Sequence, residues 1–81
     1  MQIAVDISLY PLDEDFIPPI KNIIERLGQH DGVEVERNRM STQLRGEFDV
    51  VMPVLSEEIR ATFDNVSKCV FAIKILNNPV N

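Results

Sequence analysis

Apolar and polar residues alternate strictly from residue 2 to residue 10. Ile3, Val5, Ile7 and Leu9 share one phase, and Ala4, Asp6, Ser8 and Tyr10 share the other. A period of two marks a half-buried strand, so this segment is predicted to be a first strand with one core face. Pro11 ends it. Asp15 is a good helix N-cap, and Pro18 and Pro19 suit a first turn whose amides lack intrahelical partners. Phe16, Ile20, Ile23, Ile24 and Leu27 recur at helical spacing, and Gly28 stands where a helix stops. Gln29 to Gly32 is turn chemistry, after which Val33 and Val35 alternate with Glu34 and Glu36 in a second strand whose arginines suggest an edge. A tight connection from Asn38 to Ser41 leads to a third strand, Thr42 to Phe48. There Leu44 and Phe48 are expected to face the core, and Gln43, Arg45 and Glu47 to face away. Gly46 marks a bulge or a close approach. From Asp49 the period becomes helical through Val51, Leu55, Ile59, Phe63 and Val66, with Pro53 near the first turn. Residues 69–76, CVFAIKIL, are apolar on both faces except for Lys74, as suits a last strand covered on both sides.

The order βαββαβ is the split βαβ, ferredoxin-like arrangement of the α+β class: a four-stranded antiparallel sheet with two helices on one face. Residues 1–81 are expected to form one domain, and no internal repeat is present. The opposite sheet face then carries Ala4, Asp6, Ser8, Tyr10, Val70, Ala72 and Lys74, too apolar for bulk solvent and too polar for a plain core. A chain this short buries only about 60–65% of its unfolded surface, which favours self-association. A homo-oligomer, at least a dimer packed through the open sheet face, is the expectation.

Composition narrows the function classes. The 44% apolar and 26% charged content is that of an ordinary globular chain, and no run is long enough to cross a membrane as a helix. The first ten residues lack the basic start and cleavage site of a signal peptide, so a soluble, cytoplasmic protein without a membrane partner is expected. The net charge of −5 argues against nucleic acid, and Arg37, Arg39 and Arg45 are interleaved with Glu34, Glu36 and Glu47 like a solvated strand face. Cys69 is the sole cysteine, which leaves no intramolecular disulfide or cysteine-cluster metal site. It reads as a small buried hydrophobe. No cofactor is expected.

Three segments in this order resemble the YkoF-like thiamine and hydroxymethylpyrimidine-binding family: ISLYPL at Ile7 to Leu12, NRMSTQLRGEF at Asn38 to Phe48, and VFAIKIL at Val70 to Leu76. The resemblance spans essentially the whole chain. It implies a ferredoxin-like fold, assembly through sheets, and a small-molecule ligand, thiamine or its hydroxymethylpyrimidine moiety. Tandem members carry two such units and this chain carries one, so a homodimer is expected to rebuild the missing half.

An aminopyrimidine offers a planar face, ring-nitrogen acceptors and an amine donor, so its pocket needs hydroxyl or amide donors, an acceptor, and an aromatic or aliphatic wall. Ser41, Thr42 and Gln43 lie at the mouth of the central hairpin with Asn38 at its start, and Ser8 and Tyr10 lie on the open face of the neighbouring first strand. Ser41 and Thr42 also fit plain turn and strand chemistry. Asp6 on a covered face needs a partner. Lys74 on the last strand is the structural choice, and a ligand amine or thiazolium is the functional one. Tyr10 either stacks on the ligand or covers the sheet end; Met40 reads as a turn residue and His30 as an exposed loop residue. The acidic loop YPLDEDF is unlike the phosphate cradle of an acylphosphatase, and no catalytic triad or metal cluster is present. The chain therefore reads as a non-catalytic binding protein. The alternatives are a regulatory or assembly module without this ligand, and a proton-transfer isomerase with Asp6 as base.

Overall fold

The computed structural model describes residues 1–12 and 17–79, with the side chains of residues 17–20 outside the description. The elements are β1 (Gln2–Pro11), α1 (Ile17–Leu27), β2 (Glu34–Arg37), β3 (Thr42–Glu47), α2 (Phe48–Asn65) and β4 (Cys69–Asn77). The strands form one antiparallel sheet in the order β2-β3-β1-β4, so the fold is α+β and ferredoxin-like. The alternation of β1 sends Ile3, Val5 and Ile7 into the core, where Leu44 from β3, Ile23 and Leu27 from α1, and Val51, Val54 and Leu55 from α2 meet them. The register of β1 with β4 pairs Asp6 with Lys74, Ser8 with Ala72 and Tyr10 with Val70 on the opposite face.

Pro18 and Pro19 fall in the first turn of α1, while the expected cap Asp15, Phe16 and the Ile20 side chain lie outside the described residues. The Gly28 amide still reaches Ile24 O at 3.2 Å, and the left-handed backbone comes later, at Gly32 with φ 82°. β3 stops at Glu47, one residue early. The Phe48 amide bonds Met1 O at 2.9 Å and opens α2, so its ring is 43% exposed instead of facing the core. Pro53 lies past the first turn and forgoes the bond to the Asp49 carbonyl. Phe63, expected in the buried stripe, is also exposed and stacks at a tilt on Phe71, with centroids 5.6 Å apart. Cys69 is half-buried.

Gly46 settles into the close approach, without a bulge: a Cβ there would stand 2.5 Å from Gly32 O and 2.9 Å from Val51 Cγ2. The contact seats the turn before β2 directly on β3.

Glu58 of α2 is a buried carboxylate that the apolar pattern does not announce. Arg26 Nε donates to its Oε2, and His30 Nε2 lies 3.0 Å from its Oε1. Arg26 Nη2 also donates to Thr62 Oγ1 at 3.1 Å, and Thr62 Oγ1 donates to Glu58 O at 2.9 Å. His30 is thus half-buried and engaged instead of exposed. Burial alone raises the Glu58 carboxyl; the hydrogen bonds with His30 and Arg26 and the charge of Arg26 outweigh it and hold the group below its ordinary value.

Two outcomes follow from these contacts. A carboxylate depressed in the folded state contributes stability that is present above its unfolded value, about 4.3, and is lost as pH falls through the folded one. Urea unfolding across this window should show the stability gap between the parent and Glu58→Gln closing as the pH drops, and a gap independent of pH would refute the assignment. Gly46→Ala should cost about 1–3 kcal/mol through overpacking. Gly28→Ala, whose Cβ meets nothing nearer than 3.6 Å, should change stability by less than about 1 kcal/mol in the same assay.

Candidate functional site

The hairpin between β2 and β3 is shaped by Asn38. Its Oδ1 accepts from the amides of Met40 at 2.8 Å and Ser41 at 2.9 Å, its own amide bonds Ser41 O at 3.0 Å, and the turn so closed leaves Met40 86% exposed. This is an Asx turn, in which a short side-chain carbonyl replaces a backbone acceptor. Ser8 Oγ reaches Met40 O at 3.5 Å, tying the hairpin to β1.

Between this turn, the end of β1 and the last turns of α1 lies a cleft of about 560 Å³. One wall is polar, from Ser8, Asn38, Ser41 and Thr42. The other is apolar, from Ile23, Ile24, Leu27, Leu9 and Phe71, with Tyr10 at the rim. Thr42 is buried on the helix side of the sheet, whereas Ser41 and Tyr10 belong to the open face, so the cleft wraps around the sheet end. Arg37 and Arg39 bring positive charge, and no carboxylate lines the cleft among the described residues.

The structure therefore brings Ser8, Tyr10, Asn38, Ser41 and Thr42 together. Asp6 stands behind the wall: Ser41 Oγ donates to its Oδ1, and Lys74 Nζ lies 4.0 Å from its Oδ2 with the lysine side chain 87% exposed. The expected covered salt bridge is, in this chain, a loose surface pair, and Ser41 is the closer partner that strand pairing alone did not suggest. Gln43 points elsewhere, into a smaller cleft of about 370 Å³ with Glu34, Glu36 and Arg45 on the open face. The α1 residues Ile23, Ile24 and Leu27 had only a core signature, since a helical stripe does not reveal where it overhangs the sheet end.

The sequence model of the family described as thiamine-binding protein matches residues 5–79. The chain belongs to the thiamine-binding protein family. The family match bears out the resemblance carried by the first strand, the hairpin and the last strand, and with it a small-molecule binding role. No curated protein matches the chain. Among solved structures, a Streptococcus pneumoniae protein shares the fold with a TM-score of 0.89 at 23% identity, over 99% of this chain and 90% of that one. A Thermotoga maritima protein assigned provisionally to thiamine biosynthesis/salvage has a TM-score of 0.82 at 25% identity, over 93% of this chain and 82% of that one. A Bacillus cereus domain of unknown function is 29% identical with a TM-score of 0.79, over 98% of this chain and 78% of that one.

The polar wall has a measurable internal order. In double-mutant cycles read by denaturation, Asp6→Ala should couple more strongly to Ser41→Ala than to Lys74→Ala, and the latter coupling should stay below about 1 kcal/mol, as for exposed ion pairs. A larger coupling to Lys74 would show that the pair is covered in solution.

Proposed function

We propose that this protein is a non-catalytic binding protein for thiamine or its hydroxymethylpyrimidine moiety, held in the cleft between the Asn38–Ser41 turn and the Ser8 and Tyr10 end of β1. The observation that carries the reading is the convergence of hydroxyls, an amide side chain and a phenol ring on one apolar-backed cleft, in a chain of the thiamine-binding protein family. Thr42 and Ser41 supply hydroxyl partners for ring nitrogens and the exocyclic amine, and Tyr10 and Phe71 supply aromatic surface for the ring. The relation to the Thermotoga maritima protein supports the same chemistry. Asp6 acts through Ser41, whose hydroxyl it orients. Gln43 contributes from the open face, where Tyr10, Val70 and Leu76 are 54%, 50% and 57% exposed. A second protomer packed on that face closes the ligand site at the protomer boundary.

Calorimetry with thiamine and with hydroxymethylpyrimidine tests the proposal. Binding should raise the thermal midpoint, since a ligand at a hundredfold excess over its Kd adds about 2.7 kcal/mol to stability. Thr42→Val should weaken affinity by about 0.5–1.5 kcal/mol for a neutral bond lost, with a smaller change in folding stability. Unaltered affinity after Ser41→Ala and Thr42→Val together would move the site elsewhere. Failure of both ligands to bind the parent protein would reject the ligand class.

A further inference from the structure

The sheet order leaves two edges, and they are built differently. β2 spans four residues and carries Glu34, Glu36 and Arg37, the short charged form that keeps an edge from pairing. β4 spans nine residues with one charge, Lys74, no proline, and an unbroken register against β1 from Cys69 to Asn77. Although apolar, it is open to solvent: Val70, Ile73, Ile75 and Leu76 are 36–57% exposed. A long, regular, apolar edge is the form that association requires.

Two hydrogen bonds at the ends of β4 fix which backbone groups face outward. Leu12 N donates to Lys68 O and Asn78 N donates to Gln2 O, each at 3.0 Å. Bonded pairs recur at every second residue of an antiparallel ladder. Val70, Ala72, Lys74 and Leu76 therefore direct their amides and carbonyls to β1, while Phe71, Ile73 and Ile75 turn theirs to the free edge. The side chains of Ile73 and Ile75 also line an apolar groove of about 540 Å³ against Met52, Ile59 and Phe63 of α2. Open backbone groups and apolar surface are presented on the same side.

We infer that this edge pairs antiparallel with β4 of a second copy of the chain, about a two-fold axis at Ile73. The axis falls on a residue whose amide and carbonyl both face outward, as a bonded central pair requires. In that register Phe71 opposes Ile75 of the second copy, Val70 opposes Leu76, and Lys74 opposes Ala72, so every rung is apolar or carries a single charge. Placing the axis at Lys74 would oppose like charges. β2 is excluded as the mate, because its four residues leave half of β4 unpaired and a head-to-tail contact of unlike edges does not close on itself. The product is a closed dimer with an eight-stranded sheet, four strands from each copy, and the two α2 helices flanking the seam. This contact is separate from the open face invoked for the ligand and does not depend on it.

Amide exchange followed by NMR on the full chain at high micromolar concentration discriminates directly. A free edge gives alternating protection, slow at Val70, Ala72, Lys74 and Leu76 and fast at Phe71, Ile73 and Ile75; the paired edge gives slow exchange at all seven. Ile73→Pro removes an outward amide without touching a bond to β1. It should halve the sedimenting mass with an unchanged far-ultraviolet dichroism spectrum and restore fast exchange at Phe71 and Ile75. Ile75→Lys should halve the mass in the same way. Alternating protection in a parent protein that sediments as a dimer would assign the contact to another surface, such as the open sheet face, and would overturn the inference. So would a parent monomer at high micromolar concentration, or an Ile75→Lys variant that keeps the parent mass.

Discussion

β1 is hydrogen-bonded along both edges, to β3 from Gln2 to Ile7 and to β4 from Ile3 to Pro11, and this double pairing constrains everything around it. A slip of one residue would exchange Ile3, Val5 and Ile7 for Ala4, Asp6 and Ser8 on the helix side, placing a carboxylate where Leu44 and Val51 are fully buried. No register but the observed one keeps charge out of the core. The same phase aligns Asp6 with Lys74 on one neighbour and with Gln43 on the other, and it brings Ser8 up to the hairpin turn.

The order of elements is legible in the sequence because each segment has one clear period, and the family resemblance rests on the segments that build the sheet and its hairpin. The boundaries are less legible. Phe48 continues the alternation of Leu44 and Gly46, yet it opens a helix because its amide finds the Met1 carbonyl, a partner forty-seven residues away in sequence. Phe63 keeps the helical spacing of a core residue, but β4 lies at the sheet edge and leaves that end of α2 uncovered except for Phe71. His30 and Glu58 are unreadable for a related reason. Each is an ordinary polar residue in its own segment, and only the packing of α1 on α2 brings them within 3.0 Å.

The cleft is legible in part, and its two walls explain the difference. Ser8, Asn38, Ser41 and Thr42 stand out as hydroxyl and amide residues near a turn, so chemistry alone singles them out. Gln43 has the same chemistry and the opposite phase from Thr42, and a strand's alternation sends the two to different faces. The apolar wall has no chemical mark, since Ile23, Ile24 and Leu27 look the same whether a stripe ends on the sheet or just beyond it.

The polar tie around Glu58 has a mechanical consequence for that cleft. Arg26 and His30 bracket Leu27, the residue at the end of the apolar wall, and both are anchored to α2. The helical wall is therefore fixed to the body of the protein by charged and neutral bonds at its final turn. The facing wall is a turn held by two bonds to the Asn38 side chain and one long contact from Ser8. Compliance is unequal across the opening: one side behaves as a fixed jaw, and the width of the mouth is set by the small excursions of the hairpin that carries Arg39 and Met40.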